Sequence, residues 1–220
     1  MSTFERVDIG GKRHYVTPIG RLPSVTTILS ATQPAKDREG LAFWRRKVGD
    51  VEANRVLTDS AARGTRLHGM VEDYLHTGVE GSGPWWESIA PFVKSVDRTR
   101  PHSIEQSVCS RYGYAGAYDF LGYAGDEELV ADWKTSAKRK LLSYIRGYQL
   151  QAAAYCGAVN ELRMAAADGA QLVRRAAIVV AYEGTPADVF MMDAAELKAA
   201  WREFIGRVGE YQVRYGKAVK

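Results

Sequence analysis

Two cysteines in 220 residues, Cys109 and Cys156, are too few for a disulfide framework and too far apart for a Cys-x-x-Cys metal site. An iron–sulfur cluster takes about four thiolates, so that cofactor is excluded and reduced thiols are expected. No apolar run approaches the roughly 18 residues that span a bilayer, and the N-terminus lacks the apolar core of a signal peptide. A membrane partner is therefore not expected, and the protein reads as cytoplasmic. Internal repeats and low-complexity segments are also missing. What is there, 46% hydrophobic and 25% charged, is ordinary for a globular chain with one sizeable core.

The most informative stretch is 116–134, Gly-Ala-Tyr-Asp-Phe-Leu-Gly-Tyr-Ala-Gly-Asp-Glu-Glu-Leu-Val-Ala-Asp-Trp-Lys. Two runs rich in aromatic and branched residues flank Gly125-Asp126, the signature of a hairpin with a two-residue turn. With those two residues in the turn, Ala124 faces Glu127, and counting outward sets Asp119 opposite Asp132. Lys134, two residues on, points to the same face. Two carboxylates this close repel unless a cation lies between them or one takes a proton. A hard divalent ion such as Mg²⁺ or Mn²⁺ is the usual solution. A lone Asp-x-Lys is commonly just a solvated strand edge. Here Phe120, Leu121, Leu129, Val130, Ala131 and Trp133 put apolar residues on both faces, so the charges are expected to be partly buried, which favours a functional site.

The net charge of +4 is concentrated. Between Asp132 and Arg146 stand Lys134, Lys138, Arg139, Lys140 and Arg146 against one acidic residue, a patch that suits a polyanion such as nucleic acid. A solvated charge run is the bland alternative.

Taken in order, residues 1–23 read as a β-ribbon turning at Gly10-Gly11. A helix follows from Pro23 or Ser24, where Ser24 and Thr26 offer hydroxyls to a phosphate, although simple capping accounts equally well for each. After a polar loop at 32–37, helices are expected at 41–48 and 51–57 with Phe43 and Trp44 as core anchors, and another from Ser60 to about His76. On that helix His68 and Glu72 share a face. Either they are a surface pair, or His68 reaches a metal while Glu72 orients its other nitrogen. A helix at 85–98, a strand at 103–112 containing Glu105, a helix at 142–161 and strands at 172–182 and 189–192 follow, and a helix at 194–215 closes the chain. Gln151 and Tyr155 share a face of the 142–161 helix. The whole predicts a three-layer α/β domain with a central mixed sheet flanked by helices: one domain over 1–220, mainly helical in 1–100, with the sheet core and C-terminal helices in 101–220.

These residues together resemble the PD-(D/E)XK nuclease superfamily in its RecB-like branch, most closely the mitochondrial genome maintenance exonuclease family with its phage and bacterial relatives. Gly64-Thr65-Arg66-Leu67-His68 looks like a Gly-Thr-x-x-His motif, and Glu105 falls where the family places an acidic residue. Gly116-x-x-Asp119, Asp132-Trp133-Lys134-Thr135-Ser136 and Gln151-x-x-x-Tyr155 look like the motifs that follow. Each alone is weak, but five in order make the resemblance specific. The proline of the superfamily name is replaced by Ala117-Tyr118 ahead of Asp119.

The resemblance implies a restriction-endonuclease-like core and a metal-dependent DNA exonuclease of phage or bacterial type, working in replication, recombination or repair inside a bacterial or phage-infected cell. Asp119, Asp132, His68 and the Trp133 carbonyl would hold Mg²⁺ or Mn²⁺, Lys134 would position water, and Glu72, Glu105, Gln151 and Tyr155 would support them. Arg66, Thr135 and Ser136 join Ser24, Thr26 and the basic patch as candidates for DNA contact. The substrate would be single-stranded or end-bearing double-stranded DNA, with a single-strand annealing or binding protein as an expected partner. A structure-selective endonuclease and a non-catalytic recombination accessory are the alternatives. The intact set His68, Asp119, Asp132 and Lys134 argues against the accessory.

Overall fold

The computed structural model describes residues 3–166 and 169–216, apart from the Ser143 side chain. It opens with an antiparallel ribbon, β1 (Glu5–Ile9), β2 (Lys12–Thr17) and β3 (Gly20–Pro23). Gly10 and Gly11 form the first turn at φ of 60° and 74°, the left-handed backbone that two-residue hairpins favour. Ser24 then caps α1 (Val25–Ala31), its hydroxyl accepting from the Thr27 N–H at 2.9 Å.

The next helices correct the sequence reading. α2 (Ala35–Val48) starts inside the expected polar loop, because Pro34 stands at its cap and good helix formers follow. The segments expected at 51–57 and from Ser60 are a single helix, α3 (Asp50–Thr77), since the polar Thr58, Asp59 and Ser60 carry no breaker between them. Phe43 and Trp44 do not anchor a core. Phe43 is 63% exposed and α2 has no buried residue, for it leans on α3 with no third layer beneath. α4 (Pro84–Val93) ends before the expected Arg98, and Val96 instead bridges to Ala124 at the end of a sheet strand.

That five-stranded sheet has order β4-β5-β6-β7-β8, with β4 (Ser103–Ser110), β5 (Tyr114–Ala124), β6 (Glu127–Thr135), β7 (Ala176–Tyr182) and β8 (Thr185–Met192). β4, β5 and β6 form an antiparallel meander, β6 pairs parallel to β7, and β8 returns antiparallel. A parallel pair needs a long crossover. Here it is a 3-10 turn at Leu142–Tyr144 followed by α5 (Arg146–Ala166). α6 (Ala194–Tyr215) closes the described chain, started by an Asp193/Glu196 capping box.

β7 explains the layering. All seven of its residues are buried, Ile178 and Val180 in the cluster formed with α1, α5 and α6, Ala177 and Val179 in the cluster formed with α3 and α4. The sheet is thus covered on both faces, a mixed sheet flanked by helices as expected.

Candidate active site

The Gly125-Asp126 turn sets the register counted from sequence, with Ala124 opposite Glu127 and Phe120 opposite Ala131. The next position outward sets Asp119 against Asp132. On the other side of β5, Ile104 pairs with Phe120 and Gln106 with Tyr118, so Glu105 lies across from Asp119. Three acidic residues from three adjacent strands therefore stand in one row.

The row is locally distorted. Glu105 has φ 50°, alone among the described non-glycine residues in being positive. Ile104 and Val108, an even number of residues apart, lie in opposite core clusters, as do Tyr118 and Phe120. A regular strand would keep each pair on one face. The twist here re-aims the carboxylates, the kind of irregularity that gathers at functional sites.

α3 brings His68 over this row. Its Nε2 lies 2.9 Å from the Trp133 carbonyl, and its Nδ1 is 3.3 Å from Glu105 Oε1 and 3.7 Å from Asp119 Oδ1. Asp119 Oδ2 accepts from the Trp133 N–H at 2.7 Å. Asp132 is fully buried. Its Oδ2 is met by the Lys134 ammonium at 2.5 Å, and among the described residues its Oδ1 has no hydrogen-bonding partner. The ammonium also lies 5.4 Å from the Tyr148 ring centre. Gln151 donates to the Tyr155 hydroxyl at 3.1 Å. A Cβ on Gly116 would come within 2.6 Å of the Tyr155 ring, so that position admits only glycine if β5 and α5 are to touch.

Charge is packed tightly enough to move proton affinities. Burial raises the Asp119 carboxyl and Asp132 pushes it further, against Lys134, His68 and the Trp133 N–H. Burial alone would lower His68, but Glu105, Asp119 and the Trp133 carbonyl outweigh it and, against Lys134, raise the imidazole to about 9. Lys134 is also depressed by burial and ends above its ordinary value through Asp132 and Asp119.

A buried carboxylate oxygen with no donor is costly. It suits a cation, and the donors at hand are hard oxygens and one imidazole, a set that fits Mg²⁺ or Mn²⁺. Ligand atoms of His68, Glu105 and Asp119 lie within 4.8 Å of one another, with Asp132 beside Asp119. Glu105, read from sequence only as a supporting residue, is thus among the nearest donors. Glu72 lines the same cleft one turn from His68 but is not its hydrogen-bond partner in either of the two ways its spacing allowed. Its carboxylate is 3.9 Å from His76 Nε2, and Glu105 takes the His68 Nδ1 position, because His68 reaches across to the sheet while Glu72 stays at the helix surface.

The expected DNA contacts divide. Thr26 is exposed at the mouth of a cleft of about 490 Å³ that also takes in Ser24, His68, Glu72, Glu105, Asp119, Lys134, Gln151 and Tyr155. Ser24 is buried, its hydroxyl occupied by Thr26 and Thr27. Arg66 is exposed beside a different groove, next to Trp85. Thr135 is half-buried, and the buried Ser136 donates to the Lys138 carbonyl at 2.6 Å, so it shapes the loop rather than facing solvent. The basic patch is weaker than its sequence suggests, since Arg139 pairs with Asp188 and Arg146 with Glu203. Lys138 is exposed, and Lys140 is partly so. Missed altogether were Arg6, Arg13 and Tyr15, which line the cleft. No local signal marks them, because the ribbon is placed by a long-range bridge from Ser24 to Ala115.

No family model matches the chain. Three curated proteins do, each named mitochondrial genome maintenance exonuclease 1. The Xenopus tropicalis protein is 29% identical over 221 residues, covering 94% of this chain, the Mus musculus protein is 27% identical over 86%, and the Homo sapiens protein is 28% identical over 86%. These relatives support a nuclease family. The chain spans about three fifths of their length, 61%, 59% and 58% respectively. Among solved structures, the SSO0001 protein superposes with a TM-score of 0.42 at 14% identity, over 83% of this chain and 74% of that one. A proposed exonuclease of Eubacterium rectale gives 0.44 at 13%, over 70% and 68%. Among the described residues no helix is long and apolar enough to cross a membrane.

Proposed function

We propose that this chain is a divalent-metal-dependent DNA exonuclease of the RecB-like PD-(D/E)XK type, hydrolysing phosphodiester bonds from DNA ends in replication, recombination or repair. On this reading residues 1–220 form one nuclease domain, and the substrate is single-stranded or end-bearing double-stranded DNA. The observation that carries it is Asp132, fully buried with an unpartnered Oδ1, set directly behind Asp119 and Lys134, which line a cleft open to solvent. A carboxylate pair of this kind has no structural use that an apolar pair would not serve better. The names of the curated relatives support the choice of DNA ends as substrate.

Asp119, Asp132, His68 and the Trp133 carbonyl would hold Mg²⁺ or Mn²⁺, with Glu105 in reach. Such an ion, when bound, supplies positive charge against the reacting phosphate and an acidified water. Lys134, held by Asp132, keeps its proton and offers N–H donors to the attacking water and to charge growing on the phosphate oxygens. His68 carries a proton at neutral pH in the metal-free protein, shared towards Glu105, and must lose it from the nitrogen that ligates. Gln151 and Tyr155, packed over Gly116, wall the cleft opposite α3 and orient the strand.

The test is cleavage of end-labelled linear and closed circular DNA, single- and double-stranded, with Mn²⁺, Mg²⁺ or EDTA. Metal-dependent loss of linear DNA with circles intact is the expected result. Cut circles would make the protein an endonuclease, and binding without any cleavage would make it an accessory factor.

A further inference from the structure

The cleft has two unlike walls. On the side of α3 and the sheet, Glu72, Glu105 and Asp119 are mixed with His68 and Lys134, while the β1–β2 ribbon contributes Arg6, Arg13 and Tyr15 and no acidic residue. Register explains the grouping: Arg6 is the cross-strand partner of Tyr15, and Arg13 lies two residues before Tyr15, so all three share one face of the ribbon. Tyr15 is 2% exposed and forms a floor, with the Arg6 guanidinium 5.9 Å from its ring centre. Arg13 is anchored at its backbone. Its carbonyl accepts from the Ser24 N–H and the Thr27 hydroxyl, both at 3.0 Å, and Ser24 bridges to Ala115 on β5, the strand that carries Asp119.

Both arginines are exposed, and among the described residues neither makes an ion pair. Asp8, opposite Arg13 on the same face, spends its Oδ1 on the Gly11 N–H at 2.8 Å. By contrast Arg139, Arg146, Arg163 and Arg175 each have a carboxylate partner. Two unpaired guanidiniums rooted on a fixed ribbon and lining a cleft lack only an anion with several oxygens, and a phosphate fits the planar fork of arginine.

We propose that Arg6 and Arg13 form a phosphate clamp on the ribbon side of the cleft, holding a phosphate of the nucleic-acid strand other than the one attacked. The proposal rests on the nuclease reading above and adds to it a subsite. The attacked phosphate belongs with the buried Asp132 and the largely buried Lys134 of β6, whereas both arginines are exposed on the separate β1–β2 ribbon, and the clamp is therefore assigned to a different phosphate. The phosphate is either a backbone diester or a terminal monoester, and the chemistry of recognition is shared.

The experiment is fluorescence-anisotropy binding of a short single-stranded oligonucleotide in EDTA across a salt series, with and without a terminal phosphate. It compares wild type, the Arg6→Gln/Arg13→Gln pair and the Arg6→Lys/Arg13→Lys pair, after all three give the same thermal midpoint. The glutamine pair should bind more weakly, with a slope of log affinity against log salt shallower by about 0.7, the figure for one single-strand phosphate that is no longer neutralised. The lysine pair should restore the slope. If removing the terminal phosphate weakens wild type but not the glutamine pair, the clamp holds the terminal monoester; if it makes no difference to either, the clamp holds a diester. Wild-type binding with an unchanged slope in the glutamine pair would overturn the clamp and leave the nuclease reading standing. A wild-type protein that neither binds nor cuts DNA would overturn both.

Discussion

Single residues carry the chemistry, and their partners say what each loses on substitution. Lys134 is tied to Asp132 and faces the cleft, so Lys134→Ala should lower stability by leaving the buried Asp132 carboxylate without its ammonium, while the folded variant still binds DNA and its cleavage falls by orders of magnitude, measured as single-turnover loss of end-labelled DNA. Activity like wild type in that variant would falsify the assignment of Lys134. Glu105 separates two effects, its carboxylate and its left-handed backbone. Glu105→Gly and Glu105→Ala both remove the His68 partner, but only alanine keeps the strained φ of 50°. The glycine variant should be more stable than the alanine variant by about 1 kcal/mol in urea unfolding, with activity lowered in both. Equal stabilities would mean that the backbone at 105 is not strained.

At the scale of elements, the site depends on close approaches between neighbours distant in sequence. β5 and α5 meet where Gly116 lies under Tyr155, and Tyr155 in turn receives the Gln151 hydrogen bond. The Gly116→Ala substitution pushes a Cβ into that ring and should cost roughly 1–3 kcal/mol of stability. It should also lower DNA cleavage, because the Gln151–Tyr155 pair has to shift with the ring. Thermal unfolding beside kinetics checks it, and a variant that leaves both unchanged would show that α5 yields without strain. The physical reason for the spacing Gly-x-x-Asp is now visible: the same strand that sets Asp119 in the row must lie flat under α5 three residues earlier. α2 illustrates the opposite case, since it has helical periodicity, but Leu41 and Phe43 stay exposed because nothing packs on that face.

For the whole molecule, the buried charges couple folding to pH and, on the proposed reading, to a bound metal. His68 is raised from its ordinary 6.5 to about 9, so its contribution to stability is complete below about 6.5 and is lost as pH climbs through 9. Asp119 is raised from 3.8 by burial and by Asp132, so it too favours the protonated fold, and its contribution fades as pH rises past its ordinary range. Both signs agree. In EDTA the thermal midpoint should decline from mildly acidic to alkaline pH, and His68→Gln should flatten the upper part of that decline. Added Mn²⁺ should reverse it most at alkaline pH, where His68 is free of its proton, by about 2.7 kcal/mol at a hundredfold excess over Kd. A midpoint indifferent to Mn²⁺ at every pH would count against a metal at this cleft.

Much of this was legible in the sequence because it is local. The Gly125-Asp126 turn, with alternation fixed at two residues, is enough to set Asp119 against Asp132 and Lys134 on their face, and the helical period is enough to place Gln151 by Tyr155 and α6 within its limits. What the chain alone left open is everything that depends on two distant segments meeting. Only Glu72 had a claim on His68, by helical spacing, and the crossing of α3 over β4 brought in Glu105 instead. The basic run between Asp132 and Arg146 reads as a single patch until Asp188 and Glu203 arrive from β8 and α6 to neutralise part of it. Arg6 and Arg13 carry no motif, and they enter the cleft because Ser24 joins the ribbon to β5. Periodicity and turn chemistry are properties of neighbours along the chain, whereas the partner of a charge and the lining of a cleft are decided by packing, which no stretch of sequence contains by itself.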